Sequence, residues 1–157
     1  MTRAVLGVPR WAVVTSLLLS VLGLAISTYM TVAHFEGAQI LTCPTNRVLN
    51  CTVVTTSAQS YFLGIPVVIL GLGNYVVMTA LNSPWGWRAK SYWLHVTRLV
   101  LAIGAMCFVL WLISAELLII DHICLWCTGV HVVTFALLIV LLSVSPTQLG
   151  WPRSAPQ

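Results

Sequence analysis

Apolar residues run along this chain in four long blocks, separated by one long loop and two shorter polar or charged breaks. The blocks are 11–32, 63–81, 93–120 and 123–144. The first two carry no charged side chain. The third has an uncharged centre, 99–115, with Arg98 and Glu116 at its margins, and the fourth holds one histidine, His131. A hydrocarbon core of about 30 Å takes about 20 residues of helix, so each block can cross it. Backbone N–H and C=O groups find no water there, which excludes open sheets and leaves helices. The pattern therefore predicts an all-α integral membrane protein, a four-helix bundle over 11–144 with a short tail over 145–157. The first block is longer than the roughly 7–15 apolar residues of a cleaved signal and reads as a retained helix.

Composition agrees with the pattern. The chain is 59% hydrophobic and 6% charged, against about 25% charged in soluble domains. The net charge of +4 is scattered, with no basic patch or motif for nucleic acid. Placement of the charges matters more. Arg3 and Arg10 precede the first block, Arg88 and Lys90 separate the second from the third, and Arg153 follows the fourth. Arg98 is near enough to the same side to snorkel toward it. Opposite lie Arg47, Glu36, Glu116 and Asp121. An excess of Lys and Arg marks the cytoplasmic side, so both termini are expected there, with loop 33–62 and turn 120–122 facing outward. Trp11, Trp85, Trp87, Trp93 and Trp151 read as an inner aromatic belt, and His34 and His95 as interfacial.

That topology, drawn from Lys and Arg alone, sorts the cysteines. Cys43 and Cys51 fall in the outer loop, Cys124 and Cys127 at the outer tip of the fourth helix, and Cys107 lies alone in the third, where packing is its expected role. Four of the five gather where disulfides form and persist. Cys43 and Cys51 flank "PTNRVLN", whose Pro44 and Asn46 favour a turn, so a bridge between them is sterically easy. It could be a plain staple, or it could exchange with the second pair. Cys124 and Cys127 sit one turn apart at a helix start, where free N–H groups and the dipole favour a thiolate. A ring that small constrains little of the fold. CxxC pairs also bind zinc, and thiolates joined by His34, His122 or His131 would suit zinc or copper(I). A metal-binding or metal-transporting protein, and a doubly stapled structural one, thus stand beside a redox enzyme. Helical spacing gathers Cys127, Val130 or His131, and Thr134 on one face. For electrons reaching a thiol at that depth, the fitting acceptor is a lipid-soluble quinone between the helices.

The outer-loop pair, Ser57 six residues after Cys51, the stretch "FLGIPVVILGLGNY" and a CxxC opening the last helix occur together. This combination resembles the vitamin K epoxide reductase family, specifically its bacterial members, with Cys43, Cys51, Ser57, Gly64, Ile65, Pro66, Cys124 and Cys127 on the family pattern. The resemblance implies a quinone-dependent thiol–disulfide oxidoreductase of the bacterial cytoplasmic membrane. In it a reduced extracytoplasmic thioredoxin-like (DsbA-like) protein delivers electrons at Cys43. Cys51 exchanges with Cys124, and Cys127 adjoins a quinone of the menaquinone, ubiquinone or vitamin K type. The outcome is disulfide formation in exported proteins, with Ser57 supporting the loop chemistry by hydrogen bonding. Many bacterial members continue into a fused thioredoxin-like domain, for which 145–157 is too short, so a separate partner is expected. His131 stands where some members carry a quinone-binding tyrosine, and an imidazole can donate to a carbonyl oxygen. Ser60 and Phe62, with Tyr61 between them, could line the quinone cap or anchor at the surface. Asn74 could bridge helices or touch the ligand. Glu116 is expected to face water or the bundle, with proton handling as a possible role.

Overall fold

A computed structural model describes residues 8–37, 40–89 and 91–148. In chain order its elements are helix α1 (Arg10–Glu36), the short helix α2 (Cys51–Thr56), a 3₁₀ turn at Ala58–Ser60, and the paired strands β1 (Tyr61–Phe62) and β2 (Ile65–Pro66). There follow α3 (Val67–Asn82), α4 (Pro84–Arg88), α5 (Tyr92–Ala115), which runs on through a π-helical turn at Glu116–Ile120, and α6 (Leu125–Gln148). The fold is all-α apart from the small hairpin. By length and apolarity α1, the continuous 29-residue span Tyr92–Ile120 and Leu125–Pro146 can each cross a bilayer. The fourth long helix, α3, has 16 residues, or about 24 Å, which is short for a full crossing.

The shortness of α3 has a local cause. Not all of block 63–81 is helical: its first residues fold back as the β1–β2 hairpin. Leu63 and Gly64 at its tip hold φ of 51° and 81°, a left-handed pair that turns a two-residue hairpin. Pro66 then precedes α3 in an extended conformation and starts the helix where its missing N–H costs nothing. At the chain's other margins, α1 persists to Glu36 and α6 runs past Val144 to Gln148.

Two buried clusters define the ends of the bundle. At one end Ala12, Met78, Trp87, Ala102, Leu137, Leu141 and Val144 pack together, so the start of α1 and the end of α6 lie side by side. At the other, Met30, Ala33, Leu41, Cys51, Val54 and Cys124 form a second cluster. We call these the basic end and the cysteine end. Along α1, Ser16, Ser20, Gly23 and Ser27 repeat at helical spacing, and the three serines are buried. Small residues of this kind let helices approach closely. Their hydroxyls are tied: Asn82 Nδ2 donates to Ser20 Oγ at 3.0 Å and Trp87 Nε1 to Ser16 Oγ at 3.3 Å.

Three expectations at the basic end are corrected. Arg98 does not snorkel. It is 2% exposed, donates Nε to the Leu81 carbonyl at 3.0 Å and lies 3.9 Å over the Trp87 ring. The C-terminal carbonyls of α3 carry the negative end of its dipole and receive the cation. Trp87 is therefore buried, whereas Trp11, Trp85 and Trp93 are exposed as a belt would be. His95 is also buried, with Nε2 3.3 Å from Ser145 Oγ. Cys107, read as a packing residue, lies on the exposed face of α5. Arg3, Lys90, Trp151 and Arg153 lie outside the described residues.

Candidate active site

The loop pair is held by its own sequence. Cys43 and Cys51 form a disulfide with Cα atoms 6.1 Å apart. Between them Asn46 Oδ1 accepts the N–H of Val48 at 2.9 Å and of Leu49 at 2.8 Å, an Asx turn that folds the segment back. Asn50 then caps α2, its Oδ1 accepting the Val53 N–H at 3.2 Å, so Cys51 becomes the first residue of that helix. The same strip is clasped to the turn before α6. Ile123 N donates to the Val48 carbonyl at 2.8 Å, Asn50 N donates to the Ile123 carbonyl at 3.1 Å, and Leu49 and Ile123 pair in a parallel bridge. Through this clasp Cys51 and Cys124, 1% and 0% exposed, join one buried cluster.

Cys124 immediately precedes α6 and its sulfur accepts the Cys127 N–H at 3.3 Å, the bond an N-cap side chain makes to the third helical residue. Cys124 and Cys127 are both free thiols. Hydrogen bonding from the Cys127 thiol, with the N–H groups of Cys127 and Trp126, outweighs burial and holds the Cys124 thiol below its ordinary range. Such a thiol ionises readily.

Cys127 forms part of the walls of two cavities. The larger, about 300 Å³, is apolar and lies among α1, α3, α5 and α6. Phe62 of β1 closes one side, its ring edge-on to Phe108 at 5.3 Å and to Trp111 at 5.8 Å. Asn74 and His131 also line it, and among the described residues no hydrogen bond occupies either side chain. An apolar slot with a few unspent polar groups is the usual form of a small-molecule site. A flat apolar ring bearing carbonyl oxygens, as in a quinone, matches this donor set: Asn74 Nδ2 and an imidazole N–H could each meet an oxygen. Tyr75, which the sequence reading passed over, forms part of the same wall. It is 2% exposed, and its hydroxyl sits 2.8 Å from Thr134 Oγ1 and donates to the Val130 carbonyl at 3.3 Å. Its ring lies directly against Gly23 of α1, where any Cβ would overlap it.

The smaller cavity, about 60 Å³, lies on the loop side of Cys127 and is lined by Ser57, Ser60, His34 and Glu116 among others. Ser60 thus borders this space rather than the larger one. Ser57 bonds backbone, not sulfur. Its hydroxyl donates to the Val54 carbonyl at 2.7 Å, closing the end of the helix that Cys51 opens, and Ser60 Oγ donates to the Ser57 carbonyl at 2.6 Å. Glu116 is buried, and its carboxyl engages the Cys127 thiol and the Cys124 backbone. Neither that contact nor the placement of Tyr75 has a signature in the sequence beyond a polar residue in an apolar block. Among the described residues no group of three or more His, Cys, Asp or Glu side chains could hold a metal ion.

No curated protein is a significant match to the chain. A family description does match, over residues 14–142, which takes in all or most of each long helix, both cysteine pairs and the residues lining the two cavities. On that match the chain belongs to the vitamin K epoxide reductase family.

Proposed function

We propose that this protein reoxidises a thioredoxin-like partner outside the cytoplasm and passes the electrons to a membrane quinone, in support of disulfide formation in exported proteins. Family membership makes it a membrane thiol–disulfide oxidoreductase; the partner, the quinone, the bacterial cytoplasmic membrane and the outward-facing cysteine end belong to our reading. The observation that carries it is the position of Cys127, with an apolar cavity on one side and the loop-facing cavity on the other, while Cys51 and Cys124 share a buried cluster. Electrons arriving at the loop have a route inward through sulfur.

In this reading the partner's thiolate opens the Cys43–Cys51 bond at Cys43, the less buried sulfur. Cys51 then attacks Cys124 of an oxidised Cys124–Cys127 pair, and Cys127 leaves as a thiol. The partner's second thiolate attacks the partner's own sulfur bonded to Cys43, so the partner leaves as a disulfide and Cys43 is freed as a thiolate. Cys43 then displaces Cys124 from Cys51, which restores the loop disulfide and leaves the CxxC pair reduced. A bound quinone supplies a two-electron, two-proton acceptor. Asn74 and His131 orient it, Phe62 screens the cavity from water, and Tyr75 with Thr134 forms a fixed wall. Ser57 and Ser60 hold the backbone that presents Cys51.

The test is quinone bleaching by purified protein given a reduced thioredoxin-like protein, compared with Cys127→Ala. We expect turnover in the wild type and none in the variant. Turnover that persists without Cys127 refutes the route.

A further inference from the structure

Glu116 opens the π-helical turn at the end of α5 and is 6% exposed. Turns of this kind recur at functional sites, and an isolated carboxyl at such depth is costly enough to need a reason. Among the described residues it has no basic partner in an ion pair. The titratable groups facing it are Cys124 just before α6, Cys127 of α6, His131 across the α5–α6 cleft, and His34 of α1 across the small cavity. Arg98 is committed to Leu81 at the opposite end.

We propose that Glu116 is the general acid for Cys127 and that it is reloaded from water on the loop side through the small cavity. The inference rests on the function proposed above. When the Cys51 thiolate attacks Cys124, the Cys51–Cys124 bond forms and the Cys124–Cys127 bond breaks. The electron pair goes to the Cys127 sulfur and the Glu116 proton follows it, leaving a carboxylate. Water reprotonates that carboxylate past Ser57 and His34. Cys124 takes its own proton from water when Cys43 displaces it. The two protons shed by the two thiols of the reducing partner thus balance the two taken up, and the reduced pair carries two electrons and two protons to the acceptor. A thiolate expelled into an apolar wall without this proton would be a poor leaving group, which is the reason for a carboxyl placed against Cys127.

The test needs no quinone. Full-length protein with both pairs oxidised is mixed with a small dithiol, alkylated at intervals and mapped by tandem mass spectrometry. Glu116→Gln should slow the appearance of free Cys127 by about 100-fold, the low end for general acid–base help, while the Cys43–Cys51 pair opens at the wild-type rate. Corrected for ionisation of the attacking thiol, wild-type release of Cys127 should fall at alkaline pH as the acid is lost. Glu116→Asp should retain that limb and Glu116→Gln should lack it. Equal Cys127 release in wild type and Glu116→Gln overturns the inference, as does a slowing that falls equally on the loop pair. Quinone bleaching by the same wild-type sample separates the two readings: its failure removes the proposed function, whereas the role of Glu116 stands or falls on the alkylation time course.

Discussion

Replacing Gly23 by alanine adds one methyl group at the tightest crossing in the bundle. The three atoms nearest the added carbon all belong to the Tyr75 ring and lie far inside van der Waals contact, so the ring must move or α1 and α3 must separate. Overpacking of this kind costs about 1–3 kcal/mol. If the ring moves, its hydroxyl also leaves Thr134 and Val130, at a further cost of about 1 kcal/mol. The space open to it is the larger cavity, about 300 Å³, which a displaced ring would partly fill. A ligand would then have to push the ring back, so quinone affinity should weaken by about 5- to 150-fold for the same 1–3 kcal/mol. Thermal unfolding in detergent reads the first cost, and the KM for quinone against kcat reads the second. Tyr75→Phe should lose only the hydrogen bonds. Gly23→Ala combined with Tyr75→Leu should recover much of the stability, with a coupling energy of at least about 1 kcal/mol. Unchanged unfolding temperature and KM in Gly23→Ala would refute the reasoning.

At the sulfur atoms, Cys124→Ala and Cys127→Ala should each abolish quinone reduction, while Cys107→Ala, on the outer face of α5, should leave its rate within about twofold of wild type. In the reduced protein the thiolate absorbance of Cys124 should persist below the ordinary thiol range. Because its folded value is depressed, the associated stability is present above the unfolded value and is lost as pH falls through the folded one; a Cys124 signal that titrates like a free cysteine would contradict this. Arg98→Met should lower stability by about 1–3 kcal/mol through the abandoned Leu81 carbonyl and the lost stacking on Trp87, read as detergent unfolding temperature, with the KM for quinone unchanged.

Much of the architecture was legible in the order of residues, and the reasons are particular. Block length alone sets the four long helices. Cys43, Cys51, Cys124 and Cys127 converge because two polar interruptions, both at the same end of an even-numbered bundle, are where they occur. Asn46 and Asn50 are recognisable as turn and cap residues. Other features depend on what one helix presents to another. Arg98 sits six residues inside α5 rather than at its margin, so α3 receives it before the membrane surface can. Tyr75 resembles any membrane tyrosine until Gly23 is seen beneath its ring. The apolar pattern of block 63–81 carries no sign that Leu63 takes a left-handed turn, and the β1–β2 hairpin is what brings Phe62 over the cavity.

The backbone clasp between residues 48–50 and Ile123 has a kinetic consequence. Amide hydrogens bound across two segments exchange only when both segments part. The N–H groups of Asn50 and Ile123 should therefore exchange with deuterium at one common rate, as a single opening unit. That rate sets a ceiling on any excursion of the loop large enough to reach a bulky protein substrate, so labelling of those two amides would time the gate between one delivery of electrons and the next.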